Sequence, residues 1–214
     1  MSKPVIIIGA GGHAKVLANA LKLSLREILG VVTPDLKVGS YFFNLKVLGD
    51  DSVIFDHSPA EIELVNGVGA LPGQNLRLKL TEQMYEKEYV FAKVTHPSAI
   101  IAADVVLYEG SQIMAGVVIQ PGTIIGKNTI INSGSIIDHD CRIAENCHIA
   151  PGVVCSGGVN IEKNAHIGTG SRIIQNIKVG EGSIVAAGSI VYKNVGSGVV
   201  FKNKLNSMME VIGN

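Results

Sequence analysis

The chain has 214 residues, of which 47% are hydrophobic and only 5% aromatic, and its formal charge at pH 7 is zero. This balance leaves no basic surplus for binding nucleic acid or an anionic membrane surface. Apolar runs are too short to cross a bilayer, and no charged leader precedes the apolar residues 4–8, so we expect a cytoplasmic protein without membrane insertion.

Residues 1–96 predict a small parallel α/β domain of the Rossmann-like type. Short apolar runs bounded by turn residues indicate its strands, and apolar residues at helical spacing indicate its helices. A helical pattern runs through Val16 to Leu23 directly after the first strand. The other expected elements are strands over Val5–Ile8, Ile28–Val32 and 61–68, a helix over Gln74–Lys87 and a last strand over Tyr89–Val94. Alternation of strands and helices in this order is typical of the α/β class.

The turn after the first strand is rich in glycine and ends in His13 and Ala14. It exposes backbone N–H groups at the start of a helix, a place that suits a phosphate group. Gly9, Gly11 and Ala14 also satisfy a loose dinucleotide fingerprint, with Asp35 at the distance expected for a ribose hydroxyl. The short domain has room for a single mononucleotide unit, so a nucleotide-linked sugar is favoured over NAD. The alternative is that the glycines only let the helix and strand pack closely.

From Ala99 onward, apolar residues recur at every sixth position. These positions are Ile101, Leu107, Ile113, Ile119, Ile125, Ile131, Ile137, Ile143, Ile149, Cys155, Ile161, Ile167, Ile173, Val179, Val185 and Val191. Three residues after each comes Gly, Asn or Asp, which tolerate the positive φ of a sharp corner. Three short strands and three corners close one triangular coil. Residues 97–195 are therefore predicted to form a parallel β-helix, with residues 196–214 as a C-terminal tail.

The three cysteines fall at inward-facing repeat positions, Cys141, Cys147 and Cys155. We expect small buried thiols in a reducing compartment, and the alternative is a disulfide or metal cluster. Outward positions on the early coils are also apolar and call for a covering surface. A trimer partner or the N-terminal domain could supply it. The outward apolar residues are Ile100, Val106, Val118, Ile124, Ile130 and Ile136.

Three histidines lie within the repeat. His139 directly precedes the turn residue Asp140, so its imidazole should project outward from a corner. His148 and His166 are eighteen residues apart and should stack on successive coils. The need for a turn former explains Asp140 without chemistry, but it does not explain His139. For His139 the alternative is a solvated loop residue.

The six-residue repeat resembles the left-handed β-helix of hexapeptide-repeat acyltransferases. The segments that carry a closer match are Gly9–Lys15, Ile131–Cys141, Cys147–Gly152 and Gly157-Gly158. With them, the chain from Val5 to about Val195 resembles a family of bacterial nucleotide-sugar acetyltransferases that includes bacillosamine-pathway, perosamine and sialic acid enzymes. The fold this implies is an α/β N-terminal Rossmann-like domain followed by a left-handed parallel β-helix of hexapeptide repeats. Residues 200–205 depart from the family's usual ending.

The resemblance also implies roles for individual residues. His139 matches the general base and Asp140 the acidic neighbour that orients it, with no metal. Acetyl-CoA is implied to bind between adjacent β-helices of a homotrimer, at Asn132, His148, Gly157, Thr169 and Ala187. The nucleotide sugar is implied to bind at Gly11, Gly12, His13, Asp35, Lys37 and Gly69. The Gly157 N–H is the implied donor to the oxyanion.

The implied activity is acetyl transfer from acetyl-CoA to the 4-amino group of a UDP-linked amino-dideoxy sugar, of the UDP-4-amino-4,6-dideoxy-N-acetylhexosamine type, in bacterial glycan biosynthesis. Within the same family, the alternative is a sialic acid O-acetyltransferase. Two alternatives belong to other classes. One is a non-catalytic scaffold that binds nucleotide sugars. The other is a β-helical carbonic anhydrase, for which the three repeat histidines are present but the close-spaced pair on one coil is not.

Overall fold

The structure is a computed structural model that describes residues 2–203, so residues 204–214 of the predicted tail lie outside the described residues. Its N-terminal part is one five-stranded sheet flanked by two helices. The strands are β1 (Val5–Ile8), β2 (Ile28–Val32), β3 (Tyr41–Phe42), β4 (Leu45–Gly49) and β5 (Glu63–Asn66). The helices are α1 (Gly12–Leu23) and α2 (Leu76–Glu86), with a 3₁₀ helix over Asp51–Asp56.

The strand order in this sheet is β3-β4-β2-β1-β5, and only the β3–β4 pair is antiparallel. All four residues of β1 are buried because alternate side chains enter two cores. Ile7 packs in the cluster that contains α1, and Ile8 in the cluster that contains Leu80 and Met84 of α2. Strand β1 thus has a helix on each side, and the carboxyl ends of the parallel strands β1 and β5 open at the same edge of the sheet.

The predicted strands over Val5–Ile8 and Ile28–Val32 are confirmed with the same bounds, and α2 lies within the predicted helix. The predicted strand over Tyr89–Val94 is wrong for most of its length. Phe91 makes a single bridge to Leu64 at the sheet edge, and its N–H donates to the Glu109 carboxylate at 3.1 Å instead of to a strand. The chain then leaves this sheet and begins the next one.

The rest of the described chain is a solenoid of two-residue strands in three parallel sheets. The β6 face contains β6 (Val94–Thr95), β9 (Gln112–Ile113), β12 (Ile130–Ile131), β15 (His148–Ile149), β18 (His166–Ile167), β21 (Ile184–Val185) and β23 (Val200–Phe201). The β7 face contains β7 (Ile100–Ile101), β10 (Val118–Ile119), β13 (Ile136–Ile137), β16 (Val154–Cys155), β19 (Arg172–Ile173) and β22 (Ile190–Val191). The β8 face contains β8 (Val106–Leu107), β11 (Ile124–Ile125), β14 (Arg142–Ile143), β17 (Asn160–Ile161) and β20 (Lys178–Val179).

As predicted, each six-residue repeat forms one short strand and one corner, and the solenoid is a left-handed β-helix. All the repeat positions from Ile113 to Val191 are at most 1% exposed, and Ile101 and Leu107 at the first coil are partly buried. The corner residues adopt the expected left-handed conformation, for example Asn128 with φ 56° and Asp140 with φ 58°. Burying an isoleucine contributes roughly 1.5–3 kcal/mol, so the inner column stabilises the whole stack. The three cysteines are free and buried within it.

The N-terminal domain covers the β6 face of the first coils. Gln112 and Ile130 on that face are each 1% exposed, and Met114 belongs to the same core cluster as α1. The two other faces keep apolar side chains in solvent, with Ile100 67% exposed on the β7 face and Val106 43% exposed on the β8 face. The N-terminal domain therefore supplies cover for one of the three outward faces. None of the helices in residues 2–203 is long and apolar enough to cross a membrane.

Candidate active site

His139 stands on the edge between the β7 face and the β8 face, which we call the β7/β8 edge. Strand β13 ends at Ile137, and the corner residues turn the chain towards β14. The His139 backbone N–H donates to Asp138 Oδ1 at 2.8 Å, and its side chain is 61% exposed. Asp140 completes the corner in the left-handed region and places its carboxylate beside the ring. The edge thus presents an imidazole and a carboxylate to solvent.

The Asp140 carboxylate determines which form of His139 is present. His139 Nδ1 lies 2.8 Å from Asp140 Oδ2, and because a carboxylate only accepts, Nδ1 carries the proton of this bond. Nε2 is then the nitrogen left to accept a proton. The hydrogen bond to Asp140 raises the pKa of His139, and the charge of Asp138 adds to this effect. A general base with a raised pKa is a stronger proton acceptor.

Gly157 lies against the same ring from the next coil. A Cβ atom at this position would come within 2.5 Å of both Cε1 and Nε2 of His139. Gly158 also donates its N–H to the His139 carbonyl at 2.9 Å. The glycine at position 157 is therefore required for space, since any side chain there would displace the imidazole.

His148 and Asn132 form a second group, between the solenoid and the N-terminal domain. His148 Nδ1 donates to the Ala70 carbonyl at 2.7 Å, and Asn132 Nδ2 lies 3.4 Å from His148 Nε2. Burial lowers the pKa of His148 to about 4, so the ring is neutral near pH 7. The His166 ring packs edge-on against it with centroids 4.9 Å apart. This contact confirms the predicted stacking of the two histidines on successive coils.

His13 forms a third group, at the start of α1. Its Nε2 lies 2.7 Å from Gln112 Oε1 on β9. Burial and the nearby Arg77 charge lower the pKa of His13 to about 4. Arg77 is itself buried, and its guanidinium donates to the carbonyls of Asn66 and Val68 at 2.8 and 2.7 Å. The sequence interpretation missed Gln112, Asn66 and Arg77, although Gln112 interrupts the apolar outward positions of the early coils.

The predicted nucleotide-binding loops lie open at the sheet edge. Gly11 caps α1 without any side-chain hydrogen bond, and the first turn of α1 holds no acidic residue. A Cβ atom at Gly11, Gly12 or Gly69 would meet nothing within 4 Å, so close packing does not require glycine there. Asp35 and Lys37 are exposed in the loop after β2. The three glycines leave space beside the carboxyl ends of β1 and β5, and the start of α1 offers N–H donors there.

Within one chain, the predicted site residues fall into separate places. His139, Asp140 and Gly157 share the β7/β8 edge. The opposite side of the β7 face, where it meets the β6 face, is called the β6/β7 edge. Three of the residues predicted for acetyl-CoA lie there: Asn132, Thr169 and Ala187. His148 joins that edge to the Ala70 carbonyl and hence to the loop that carries Gly69. Of the residues predicted for acetyl-CoA, Gly157 lies beside the proposed base, whereas the β7 face separates that base from Asn132, Thr169 and Ala187.

No group of three or more His, Cys, Asp and Glu side chains within residues 2–203 could hold a metal ion. His139 lies on the β7/β8 edge, whereas His148 and His166 lie on the β6 face. Within one chain, the three repeat histidines are thus distributed over different sides of the solenoid.

Comparison with protein families and solved structures gives consistent matches for both parts of the chain. Residues 4–84 match the model of the PglD N-terminal domain, and residues 122–157 match the bacterial transferase hexapeptide model of six repeats. A comparison with curated proteins finds no match.

Several solved structures share the fold over nearly the full length. GDP-perosamine N-acetyltransferase from Caulobacter crescentus, in complex with CoA and GDP-perosamine, is 32% identical, with 92% of each chain covered and a TM-score of 0.85. The acetyltransferase domain of PglB from Neisseria gonorrhoeae, in complex with acetyl coenzyme A, is 28% identical, with 94% of this chain and 96% of that chain covered and a TM-score of 0.85. WeeI from Acinetobacter baumannii is 25% identical, with coverage of 93% and 96% and a TM-score of 0.75.

Proposed function

The chain belongs to the family of sugar acetyltransferases with a left-handed β-helix, and we propose that it acetylates the 4-amino group of a UDP-linked amino-dideoxy sugar with His139 as general base. As a member of this family it is an acetyltransferase that uses acetyl-CoA. The observation that carries the proposal is the exposed His139, with Nδ1 bonded to Asp140 and Nε2 free. Two Caulobacter structures with CoA and GDP-perosamine bound are of variants in which one histidine is replaced, by alanine or by asparagine.

In the proposed reaction, acetyl-CoA supplies the acyl group as a thioester, and the sugar amine attacks its carbonyl carbon. His139 Nε2 removes the proton that the amine loses as the new bond forms. Asp140 holds the Nδ1 proton and stabilises the imidazolium that results. The tetrahedral adduct then collapses with cleavage of the thioester C–S bond, and CoA leaves as the free thiol after taking up the proton held by His139. General-base help of this kind is typically worth roughly 10²–10⁴ in rate. The backbone N–H of Gly157, next to the ring, is the proposed donor to the developing oxyanion.

We propose that this site is completed by a second copy of the chain in a homotrimer. His139 on the β7/β8 edge is separated from Asn132, Thr169 and Ala187 on the β6/β7 edge by the β7 face. Three copies that turn their β7 faces towards a common three-fold axis would bring the β7/β8 edge of each copy against the β6/β7 edge of the next. Apolar residues on this face that remain in solvent support the packing, with Ile100 67%, Ile136 40% and Ile190 52% exposed.

The two parts of the chain have different proposed tasks. Residues 1–96 hold the nucleotide sugar at Gly11, Gly12 and Gly69, with Asp35 and Lys37 near the base and ribose. Residues 97–195 hold acetyl-CoA and carry the chemistry, and we assign no task to residues 196–214. The glycine N–H groups at the start of α1 support the proposal that the diphosphate binds at Gly11 and Gly12.

A GDP-linked amino sugar is the second candidate substrate, supported by GDP-perosamine in the Caulobacter relative. We propose the cytoplasm as the compartment, because three free cysteines suit a reducing environment. The pathway we propose is bacterial glycan biosynthesis, where acetylated amino sugars are building blocks.

The test is a thiol-release assay with acetyl-CoA and three acceptors: a UDP-linked 4-amino sugar, a GDP-linked 4-amino sugar and free sialic acid. We expect stoichiometric thiol release with a nucleotide-linked amine and acetylation at nitrogen by mass spectrometry. Release with sialic acid alone would show O-transfer instead. No release with any acceptor, together with retained nucleotide-sugar binding, would favour the non-catalytic scaffold.

A further inference from the structure

A directed chain of hydrogen bonds crosses from the start of α1 to β5 through the solenoid residue Gln112. Gln112 Nε2 lies 2.9 Å from the Asn66 carbonyl oxygen, and its Oε1 lies 2.7 Å from His13 Nε2. A carbonyl can only accept, so the amide nitrogen of Gln112 must face Asn66. Its Oε1 must then face His13, where it can only accept. His13 Nε2 therefore carries a proton.

His13 carries no second ring proton near neutral pH. Burial and the positive charge of Arg77 hold its pKa at about 4, with the nearby His148 acting in the same direction. Arg77 donates to the same Asn66 carbonyl that Gln112 uses, so its charge lies close to this chain of bonds. The ring is accordingly the neutral tautomer with Nε2–H, and its Nδ1 is a lone-pair acceptor.

That acceptor is free and reachable. No described residue forms a hydrogen bond with His13 Nδ1. Among residues 2–203, the fully buried side-chain nitrogen and oxygen atoms that lack a partner are limited to Ser111 Oγ. His13 Nδ1 is absent from that set, so solvent reaches it, which agrees with the partial exposure of the side chain.

We infer that His13 binds a hydrogen-bond donor on the hexose of the nucleotide sugar, a hydroxyl or the amine, and that Gln112 is the positioning residue that keeps His13 in this accepting form. Phosphate oxygens have no hydrogen to donate at neutral pH, so the His13 ring does not hold the diphosphate. The inference rests on the proposed function, because it takes the nucleotide sugar to lie at the glycine turn.

The position of the ring explains why the hexose is the part it meets. His13 points from the N-terminal domain towards the solenoid, where Gln112 lies on β9. The nucleotide base and the ribose are proposed to lie by Asp35 and Lys37, in the loop after β2, which is the neighbour of β1 in the sheet. The sugar must extend towards the solenoid for its amine to meet the acyl donor, which brings it past His13.

The first experiment measures the tautomer in the free protein by NMR of ¹⁵N-histidine-labelled chain, so that it does not depend on substrate. We expect the His13 signals of a protonated Nε2 and a bare Nδ1, unchanged from pH 8 to pH 6. In Gln112→Met, which removes the acceptor but keeps an apolar side chain of similar length, we expect a mixture of the two neutral tautomers. A protonated Nδ1 in the unaltered protein would overturn the inference.

The second experiment uses two matched variants. His13→Gln keeps a donor near the Nε2 position and removes the Nδ1 acceptor, whereas His13→Asn keeps an acceptor near Nδ1 and cannot reach Gln112. Binding of UDP and of a UDP-linked 4-amino sugar is measured for both variants. If the thiol-release assay shows that the GDP-linked amino sugar is the acceptor, GDP and the GDP-linked 4-amino sugar are used instead. We expect His13→Gln to weaken the binding of the amino-sugar nucleotide by about tenfold, which corresponds to the loss of one hydrogen bond, and to leave the binding of UDP unchanged.

Each other outcome has a definite meaning. Equal weakening of UDP and of the sugar nucleotide by His13→Gln would place His13 on the nucleotide and overturn the inference. If His13→Gln weakens the binding of neither ligand, His13 only helps to hold the two domains together, and the inference is likewise overturned. His13→Asn should retain more of the difference between the two ligands than His13→Gln, at a lower melting temperature. If the unaltered protein binds no sugar nucleotide at all, the proposed function fails, and the NMR measurement still tests the tautomer.

Discussion

His139 and His148 are nine residues apart on the same solenoid, yet their surroundings give them opposite properties. His139 stands in solvent on a corner and donates to a carboxylate, so its pKa is raised. His148 is enclosed between the solenoid and the Ala70 loop and donates to a neutral carbonyl, so burial lowers its pKa to about 4. Both rings carry their proton on Nδ1 and leave Nε2 as acceptor.

This comparison separates two uses of the same side chain. A ring beside a carboxylate can take up a proton during a reaction and release it again. A ring held neutral by burial keeps a constant hydrogen-bonding pattern across the physiological pH range. The exposed edge therefore suits acid–base chemistry, and the buried interface suits binding and orientation. Four predictions, from the largest effect to the smallest, test whether this division holds.

Replacing the base should have the largest effect. His139→Ala is expected to reduce kcat by roughly 10²–10⁴ while KM for both substrates changes little, because the side chain projects from the fold and makes few contacts. Steady-state kinetics of thiol release gives both parameters. Turnover close to that of the unaltered enzyme would remove His139 from the role of base.

Displacing the His139 ring without removing it should reduce kcat by a smaller factor. Gly157→Ala puts a methyl group where the imidazole lies, so the ring must shift, and a kcat loss of up to about 10²-fold is expected. Gly196→Ala is the control, since a Cβ there meets only Val199 at an ordinary 3.6 Å. Equal activity of the two variants would show that the position of the ring against Gly157 is unimportant.

Asp140→Asn should have a smaller effect, because asparagine also adopts positive φ and can still accept the Nδ1 proton. We expect about a tenfold lower kcat. Loss of the carboxylate also lowers the pKa of His139, so the acid limb of the pH–rate profile should move to lower pH. Should the variant fail to fold, the residue would be needed for the corner instead of for the base.

Protonation of His13 and His148 should lower the stability of the fold in acid and should have no effect at neutral pH, where both rings are neutral. His13 and His148 have pKa values of about 4 in the folded chain and about 6.5 when unfolded, so the unfolded state binds more protons between these values. Stability is therefore full above pH 6.5 and decreases as the pH falls towards 4, by on the order of 3 kcal/mol for each group. Thermal denaturation against pH measures this decrease. His13→Gln should flatten the slope, and an unchanged slope would contradict the assigned burial of the ring.

The β-helix was predictable because its information is local and repeated. Each apolar position and corner former can be read within six residues, as with Ile137 and Asp140, and neighbouring repeats confirm one another. The exposure of His139 followed from the same register. The hairpin of β3 and β4 gave no such signal, since its turn places Phe43 at φ 48°, a conformation that bulky residues seldom adopt.

The interface between the two parts was not predictable in the same way. The bond between His13 and Gln112 joins residues 99 positions apart, and the bond between His148 and Ala70 joins residues 78 positions apart. Neither pair follows any period of the sequence. Only the docking of the N-terminal domain on the β6 face makes Gln112 a buried polar residue, and the physical role of His13 depends on that docking.

The coil spacing sets a fixed distance between two of the contacts that join the N-terminal domain to the solenoid, at Gln112 and at His148. Gln112 lies on β9 and His148 on β15, two strands further along the same sheet, which corresponds to roughly 10 Å. An insertion of one whole coil between them would keep every side chain in phase and lengthen this span by about 4.8 Å. An insertion of a single hexapeptide would instead carry His148 round to the neighbouring face. The solenoid thus sets, in steps of one coil, the distance along its axis between the His13 contact and the His148 contact.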